Sequence, residues 1–138
     1  MFLRLHAGDK VVAHILLADD DVLFRGLLTE LLEQAGYEVE VAADGKAAFA
    51  RARTGRFDAL IADIVMPNMD GLELIRMLQR ERPELLVIAI SGTGGEERGQ
   101  DYLPAAATFG ATATVGKRRI TEIVDVLDRL MTQAGKSK

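Results

Sequence analysis

The chain has 138 residues, 21 acidic against 17 basic side chains, a formal net charge of −4 and no cysteine. At roughly 100–200 residues per domain this is one domain, large enough to bury a core without covalent staples, and the missing cysteine excludes a disulfide scaffold and thiolate metal or redox sites. The acidic balance argues against nucleic-acid binding by charge. No apolar run approaches the ~20 residues of a membrane span, and the first ten residues carry no signal-peptide pattern. An intracellular, cytoplasmic protein is therefore expected.

Val12 to Ala18 is an apolar run broken only by His14 and stopped by three aspartates. A short run without alternation predicts a strand buried on both faces, and His14 within it is read as a packed residue rather than a phosphoryl donor. Leu23, Phe24, Leu27, Leu28, Leu31 and Leu32 then form a broad helical stripe. Asp20 or Asp21 can cap that helix, and Gly36 ends it. Tyr37 to Ala42 reads as a strand with Val39 and Val41 inward. Asp44-Gly45 opens an alanine-rich helix over Lys46 to Arg53, anchored by Phe49.

Phe57 to Ala62 is a third strand, again running into an aspartate. Asp70 and Glu73 are spaced as a capping box for a helix that buries leucines and Ile75 and closes before Pro83. Leu85 to Ile90 is the fourth strand. Ser91 to Gln100 is polar and glycine-rich, a loop whose glycines are costly to order. It is expected to be mobile and to be ordered by metal or phosphorylation. Asp101 to Phe109 reads as a short helix with Pro104 in its first turn, Ala111 to Val115 as a weak fifth strand, and Ile120 to Met131 as an amphipathic last helix. The tail from Gly135 is expected to fray.

Five strands alternating with five helices predict an α/β fold: a doubly wound (βα)5 arrangement, three layers around a central five-stranded parallel sheet. Ligands of such sheets bind outside the carboxyl ends of the strands. Asp19, Asp20 and Asp21 follow the first strand, Asp63 the third, Ser91 the fourth and Lys117 the fifth. Each is ordinary alone: Asp21 as a helix cap, Ser91 as a turn residue, Lys117 as a surface lysine. Together they place carboxylates, a hydroxyl and an ammonium at one sheet edge. Clustered carboxylates call for a cation, and Mg²⁺ takes few carboxylates while keeping several waters. A carboxylate is also a nucleophile toward phosphorus, and phosphoryl transfer needs mainly positioning and positive charge on the transferred oxygens.

The segments Ile15-Leu16-Leu17-Ala18-Asp19-Asp20-Asp21, Asp58 to Gly71 with its Asp63-Ile64-Val65-Met66-Pro67-Asn68-Met69-Asp70-Gly71 stretch, and Ile88-Ala89-Ile90-Ser91-Gly92 resemble the receiver domain of bacterial two-component response regulators. The resemblance runs from about Ala13 to Met131. It implies a flavodoxin-like, CheY-like fold, a receiver over 13–132, an N-terminal extension over 1–12 and a tail over 133–138. It implies that Asp63 accepts a phosphoryl group from a sensor histidine kinase or phosphotransfer protein. Asp19 and Asp20 hold Mg²⁺ with Asp63 and the backbone carbonyl of Val65, Ser91 is the hydroxyl switch residue, and Lys117 pairs with the phosphoryl group. Since the chain ends one helix after Lys117, a stand-alone receiver is expected. It would act on a downstream output protein by docking or phosphorelay, with no direct nucleic-acid or membrane partner. The face of the fourth helix, fifth strand and last helix, with Tyr102, Ala106 and Thr114, is the expected docking surface.

Three features depart from the family pattern. Arg118 stands where a proline with a cis peptide usually follows the lysine, so a trans or strained bond is expected. Thr114 stands where an aromatic switch residue is usual. The loop after Ser91 is longer by a few residues. The first two keep open a phosphorylation-independent binding module. An aspartate-nucleophile phosphohydrolase, suggested by Asp19-x-Asp21, lacks a late acidic pair except for Glu122, Asp125 and Asp128 on the last helix. A nucleotide cradle in the glycine loop lacks its motif, and three aspartates in the first loop would repel a flavin phosphate.

Overall fold

The computed structural model describes residues 12–92 and 104–136. Five strands, β1 (His14–Ala18), β2 (Glu38–Ala42), β3 (Ala59–Asp63), β4 (Leu86–Ser91) and β5 (Ala113–Gly116), form one parallel sheet in the order β2-β1-β3-β4-β5. The helices are α1 (Val22–Gln34), α2 (Gly45–Thr54), α3 (Gly71–Glu81), a helical segment α4 over 104–109, and α5 (Ile120–Gln133). The doubly wound reading from the sequence therefore holds. The glycine-rich residues 93–100, Tyr102 and positions 1–11 of the N-terminal extension lie outside the described residues.

The unbroken apolar runs reflect burial on both faces. Leu16, Ala18, Leu60 and Ala62 face a core closed by Ala48 and Ala52 of α2, Leu74, Ile75 and Leu78 of α3, and Ala106 of α4. Their neighbours Ile15, Leu17 and Ile61 face the other way, against Leu28 and Leu32 of α1 and Ile123, Val126, Leu127 and Met131 of α5. Each such leucine or isoleucine contributes roughly 1.5–3 kcal/mol. Gly36, at φ 100°, lets Tyr37 N–H return to the Leu32 carbonyl at 3.1 Å and stops α1.

Several local expectations change. Strands β3, β4 and β5 sit one or two residues further along than the apolar runs suggest, so Asp63 and Ser91 are the last residues of their strands. Val41 is exposed because β2 is an edge strand. Leu23 and Leu27 are exposed, and only Leu28 and Leu32 of the α1 stripe are fully buried. Phe49 is only partly buried, because the small Ala48 and Ala52 let α2 lie close to the sheet. His14 is exposed and sets its Nε2 3.1 Å from Glu38 Oε1, since the first residue of β1 is at the open end of the sheet. Ala106 is fully buried and cannot belong to a docking surface, whereas Thr114 is exposed. Lys136 is tied down, its N–H meeting the Met131 carbonyl at 2.8 Å, so fraying does not begin at Gly135.

Candidate functional site

The strand order reverses at β1, whose two neighbours are β2 and β3. The carboxyl ends of β1 and β3 therefore flank the crevice where a doubly wound sheet binds ligands. Asp19 leaves β1 there, with its backbone N–H on the Ala42 carbonyl at 3.1 Å. Arg25 clasps the Asp19 carbonyl at 3.0 Å. Asp19 Oδ1 accepts from Asp21 N–H at 2.9 Å. Asp21 in turn caps α1, accepting from the N–H groups of Leu23 and Phe24. Of the two caps the sequence allows, Asp21 is the one used, which leaves the Asp20 carboxylate free to face the crevice.

Asp63 closes β3, one strand over. Its Oδ1 accepts from Val65 N–H at 3.1 Å and its Oδ2 from Lys117 Nζ at 3.2 Å. Behind it the start of α3 presses on the strand end. Gly71 N–H meets the Ile64 carbonyl at 2.8 Å, and a Cβ on Gly71 would lie 2.3 Å from the Asp63 carbonyl oxygen. Only glycine permits that approach. The connecting loop is held by Asn68, at φ 70°, which donates from Nδ2 to Asp44 Oδ2 at 3.0 Å. Asp44 also caps α2.

Oxygen atoms of Asp19, Asp20 and Asp63 all lie within 4.8 Å of one another. Asp19 and Asp63 are buried and Asp20 is exposed. Lys117 is buried as well. It opens a tight 3-10 turn over Lys117–Arg119, and no peptide bond among the described residues is cis, so Lys117–Arg118 is trans. Its Nζ lies 2.9 Å from Asp19 Oδ2 and 3.2 Å from Asp63 Oδ2. Asp19 Oδ2 is buried, and its polar contact is the ion pair with this ammonium. Ser91 is buried at the end of β4, in register with Gly116, the residue before Lys117. Val65 is half exposed at the mouth of the loop.

The electrostatics follow from burial. Burial pushes the Asp63 carboxyl up to about 6, against the pull of Lys117 and reinforced by the charge of Asp19. Asp19 is raised in the same way, with Lys117 and the Asp21 N–H opposing. Burial by itself would lower Lys117, but the two carboxylates outweigh it and hold the ammonium above its ordinary value. Three carboxylates against one ammonium leave two negative charges, a deficit that a hard dication matches.

Of the late acids named for a phosphohydrolase, none joins the cluster of Asp19, Asp20 and Asp63 among the described residues, and Glu122 pairs with Arg119 at 3.3 Å. Asp128 accepts a hydrogen bond from the Tyr37 hydroxyl, at the amino end of β2 and so at the opposite pole of the sheet. The sequence stripe also hid one residue. Phe24, read as part of the α1 core face, places its ring centroid 4.4 Å from Lys117 Nζ. An aromatic residue on the first turn after the aspartate run is the only signal for it.

The response regulator receiver domain family matches residues 15–128. The response regulator receiver protein CpdR of Brucella abortus is 44% identical over 78 residues, covering 56% of this chain and 65% of CpdR. The chain spans as little as 24% of longer curated relatives. A CheY-like receiver domain protein from Methanospirillum hungatei superposes with TM-score 0.80 at 25% identity, covering 91% of this chain and 98% of the other. The response regulator TrrA of Thermotoga maritima, solved in complex with Mg²⁺-BeF, superposes with TM-score 0.77 at 27% identity, covering 86% and 99%. Among the described residues no helix is long and apolar enough to cross a membrane.

Proposed function

The chain belongs to the response regulator receiver domain family, and we propose that Asp63 accepts a phosphoryl group from the phosphohistidine of a sensor histidine kinase or phosphotransfer protein in a Mg²⁺-dependent reaction. Receiver domains are signalling phosphoacceptors that bind Mg²⁺ at an acidic pocket and work with histidine kinases and output domains. The convergence of Asp19, Asp20 and Asp63 around the buried Lys117 carries the reading for this chain.

In this reading a carboxylate oxygen of Asp63 attacks phosphorus. The new P–O bond forms as the P–N bond to the donor imidazole breaks, and the imidazole leaves with that electron pair. Val65 N–H and Lys117 hold the two Asp63 oxygens, which fixes the carboxylate plane for in-line attack. Asp19, Asp20, Asp63 and the Val65 carbonyl would hold Mg²⁺, which supplies positive charge to the transferred oxygens when bound. Lys117 supplies charge from the other side, and Ser91 donates a hydrogen bond to a phosphoryl oxygen. Output then passes to another molecule by docking or onward transfer. The exposed Thr114 has no ring to bury, so the change at that face must differ from a swinging aromatic.

Amide spectra of the wild type and Asp63→Asn, recorded with Mg²⁺ and then beryllofluoride or acetyl phosphate, test this. Shifts centred on the pocket are expected with beryllofluoride in the wild type only. No response to Mg²⁺ in either protein would sink the phosphoacceptor reading and leave a binding module that keeps the fold alone.

A further inference from the structure

We propose that Phe24 is a positioning residue for phosphoryl transfer, its ring holding the Lys117 ammonium against the acidic pocket; this rests on the role given to Lys117 above. The geometry is three-sided. Lys117 Nζ has Asp19 Oδ2 at 2.9 Å, Asp63 Oδ2 at 3.2 Å and the Phe24 ring centroid at 4.4 Å. The lysine side chain is only 3% exposed, so the ring stands where water would otherwise solvate the third face of the ammonium. An ammonium over a ring face is attracted by the ring quadrupole, and more strongly when desolvated.

The device answers a specific need. A lysine has four rotatable side-chain bonds, and freezing them costs side-chain entropy. The backbone after Lys117 is an ordinary trans bond into a tight turn, ending in the exposed Arg118 and Arg119. The two carboxylates draw the ammonium to one side only. On phosphorylation the Asp63 carboxylate would become a mixed anhydride, and the negative charge facing Lys117 would shift outward from Asp63 Oδ2 onto the phosphoryl oxygens. The ring's attraction does not depend on that charge, so it still confines the ammonium beside the new phosphoryl oxygens.

The ring is itself fixed by the cap of its helix and by the next turn. Phe24 N–H is held by Asp21 Oδ1 at 3.2 Å, and Leu28, one turn on, is fully buried against the sheet. The aspartate run thus does two jobs. Asp19 and Asp20 line the pocket, and Asp21 sets the turn that aims Phe24 at Lys117.

Replacing Phe24 by mono-, di- and trifluorinated phenylalanine tests the idea, because volume stays nearly constant while the quadrupole fades. The rate of phosphorylation by acetyl phosphate at saturating Mg²⁺ is expected to fall stepwise, reaching roughly a tenfold loss in the trifluorinated protein. In metal-free protein the Lys117 Cε protons are expected upfield of ordinary lysine values, and to lose that shift in Phe24→Leu and keep it in Phe24→Tyr. Equal rates across the fluorinated series with a responsive wild type would show that the ring merely packs, and would overturn the proposal. A wild type that is never phosphorylated would overturn the phosphoacceptor reading, and with it the positioning role, even where the upfield shift proves the contact.

Discussion

Asp63→Asn is expected to make the metal-free protein more stable, although it removes the residue at the centre of the proposed chemistry. An ordinary aspartate titrates near 3.8, and burial holds Asp63 at about 6 in spite of Lys117. Each tenfold is worth about 1.4 kcal/mol, so keeping Asp63 charged in the folded protein costs about 3 kcal/mol relative to a neutral side chain. Between these two values the folded state binds more protons than the unfolded state. Stability from this group is therefore greatest below pH 3.8, falls as pH rises through the window, and is lost above about 6. Asparagine is neutral, nearly isosteric and escapes the cost, while Lys117 keeps Asp19 as a partner. In EDTA at about pH 7.5, urea unfolding should show a gain of about 2–3 kcal/mol, with Tm about 10 °C higher. At about pH 4 the gap should shrink to a few tenths of a kcal/mol. Saturating Mg²⁺ should narrow it from the other side, because the wild type then gains binding energy. A variant no more stable than wild type in EDTA, or a gap that ignores pH, would refute the account of the pocket as an under-neutralised cluster.

Other substitutions separate charge, packing and chemistry. Lys117→Met strands Asp19 and Asp63 as buried charges and should cost about 3 kcal/mol near neutral pH in urea unfolding, much of it recovered on acidification or with Mg²⁺. Gly71→Ala brings a Cβ within 2.3 Å of the Asp63 carbonyl oxygen and 2.6 Å of Ile64 Cα, so α3 must retreat; a loss above about 2 kcal/mol and weaker Mg²⁺ binding by calorimetry are expected. Tyr37→Phe removes the bond to Asp128 at the far pole and should cost about 1 kcal/mol with an unchanged Mg²⁺ titration. Ser91→Ala should unfold like the wild type yet respond more slowly to acetyl phosphate, measured by amide shifts.

The architecture was legible because burial on both faces leaves an unmistakable mark: runs such as Leu16-Leu17-Ala18 and Leu60-Ile61-Ala62 cannot alternate. The crevice acids were legible because strand ends in a doubly wound sheet all point to one edge. What escaped was set by packing across elements. Leu27 and Leu28 look alike in the stripe, and which one meets the sheet depends on how α1 is rotated on it. His14 sits in an apolar run, but being first in β1 frees it to reach Glu38. Ala106 is small enough to vanish under α4, which periodicity over so short a helix does not reveal. Phe24 was hidden by its own stripe: the pattern marks it apolar and says nothing of the charge that its ring faces.

The charges at the pocket tie these features to the proposed chemistry. Asp19, Asp20 and Asp63 against Lys117 leave two uncompensated negative charges, two of the three acids being buried. Phosphorylation would exchange the single charge of Asp63 for about two on the phosphoryl group, so the same pocket would then hold three. A dication would cancel the first deficit and most of the second, so the proposed metal dependence would follow from this charge set. Lys117 is itself buried, with the Phe24 ring beside its ammonium. The cost measured by Asp63→Asn in EDTA is thus mainly that of burying a carboxylate, reinforced by the charge of Asp19, and a bound cation would offset both.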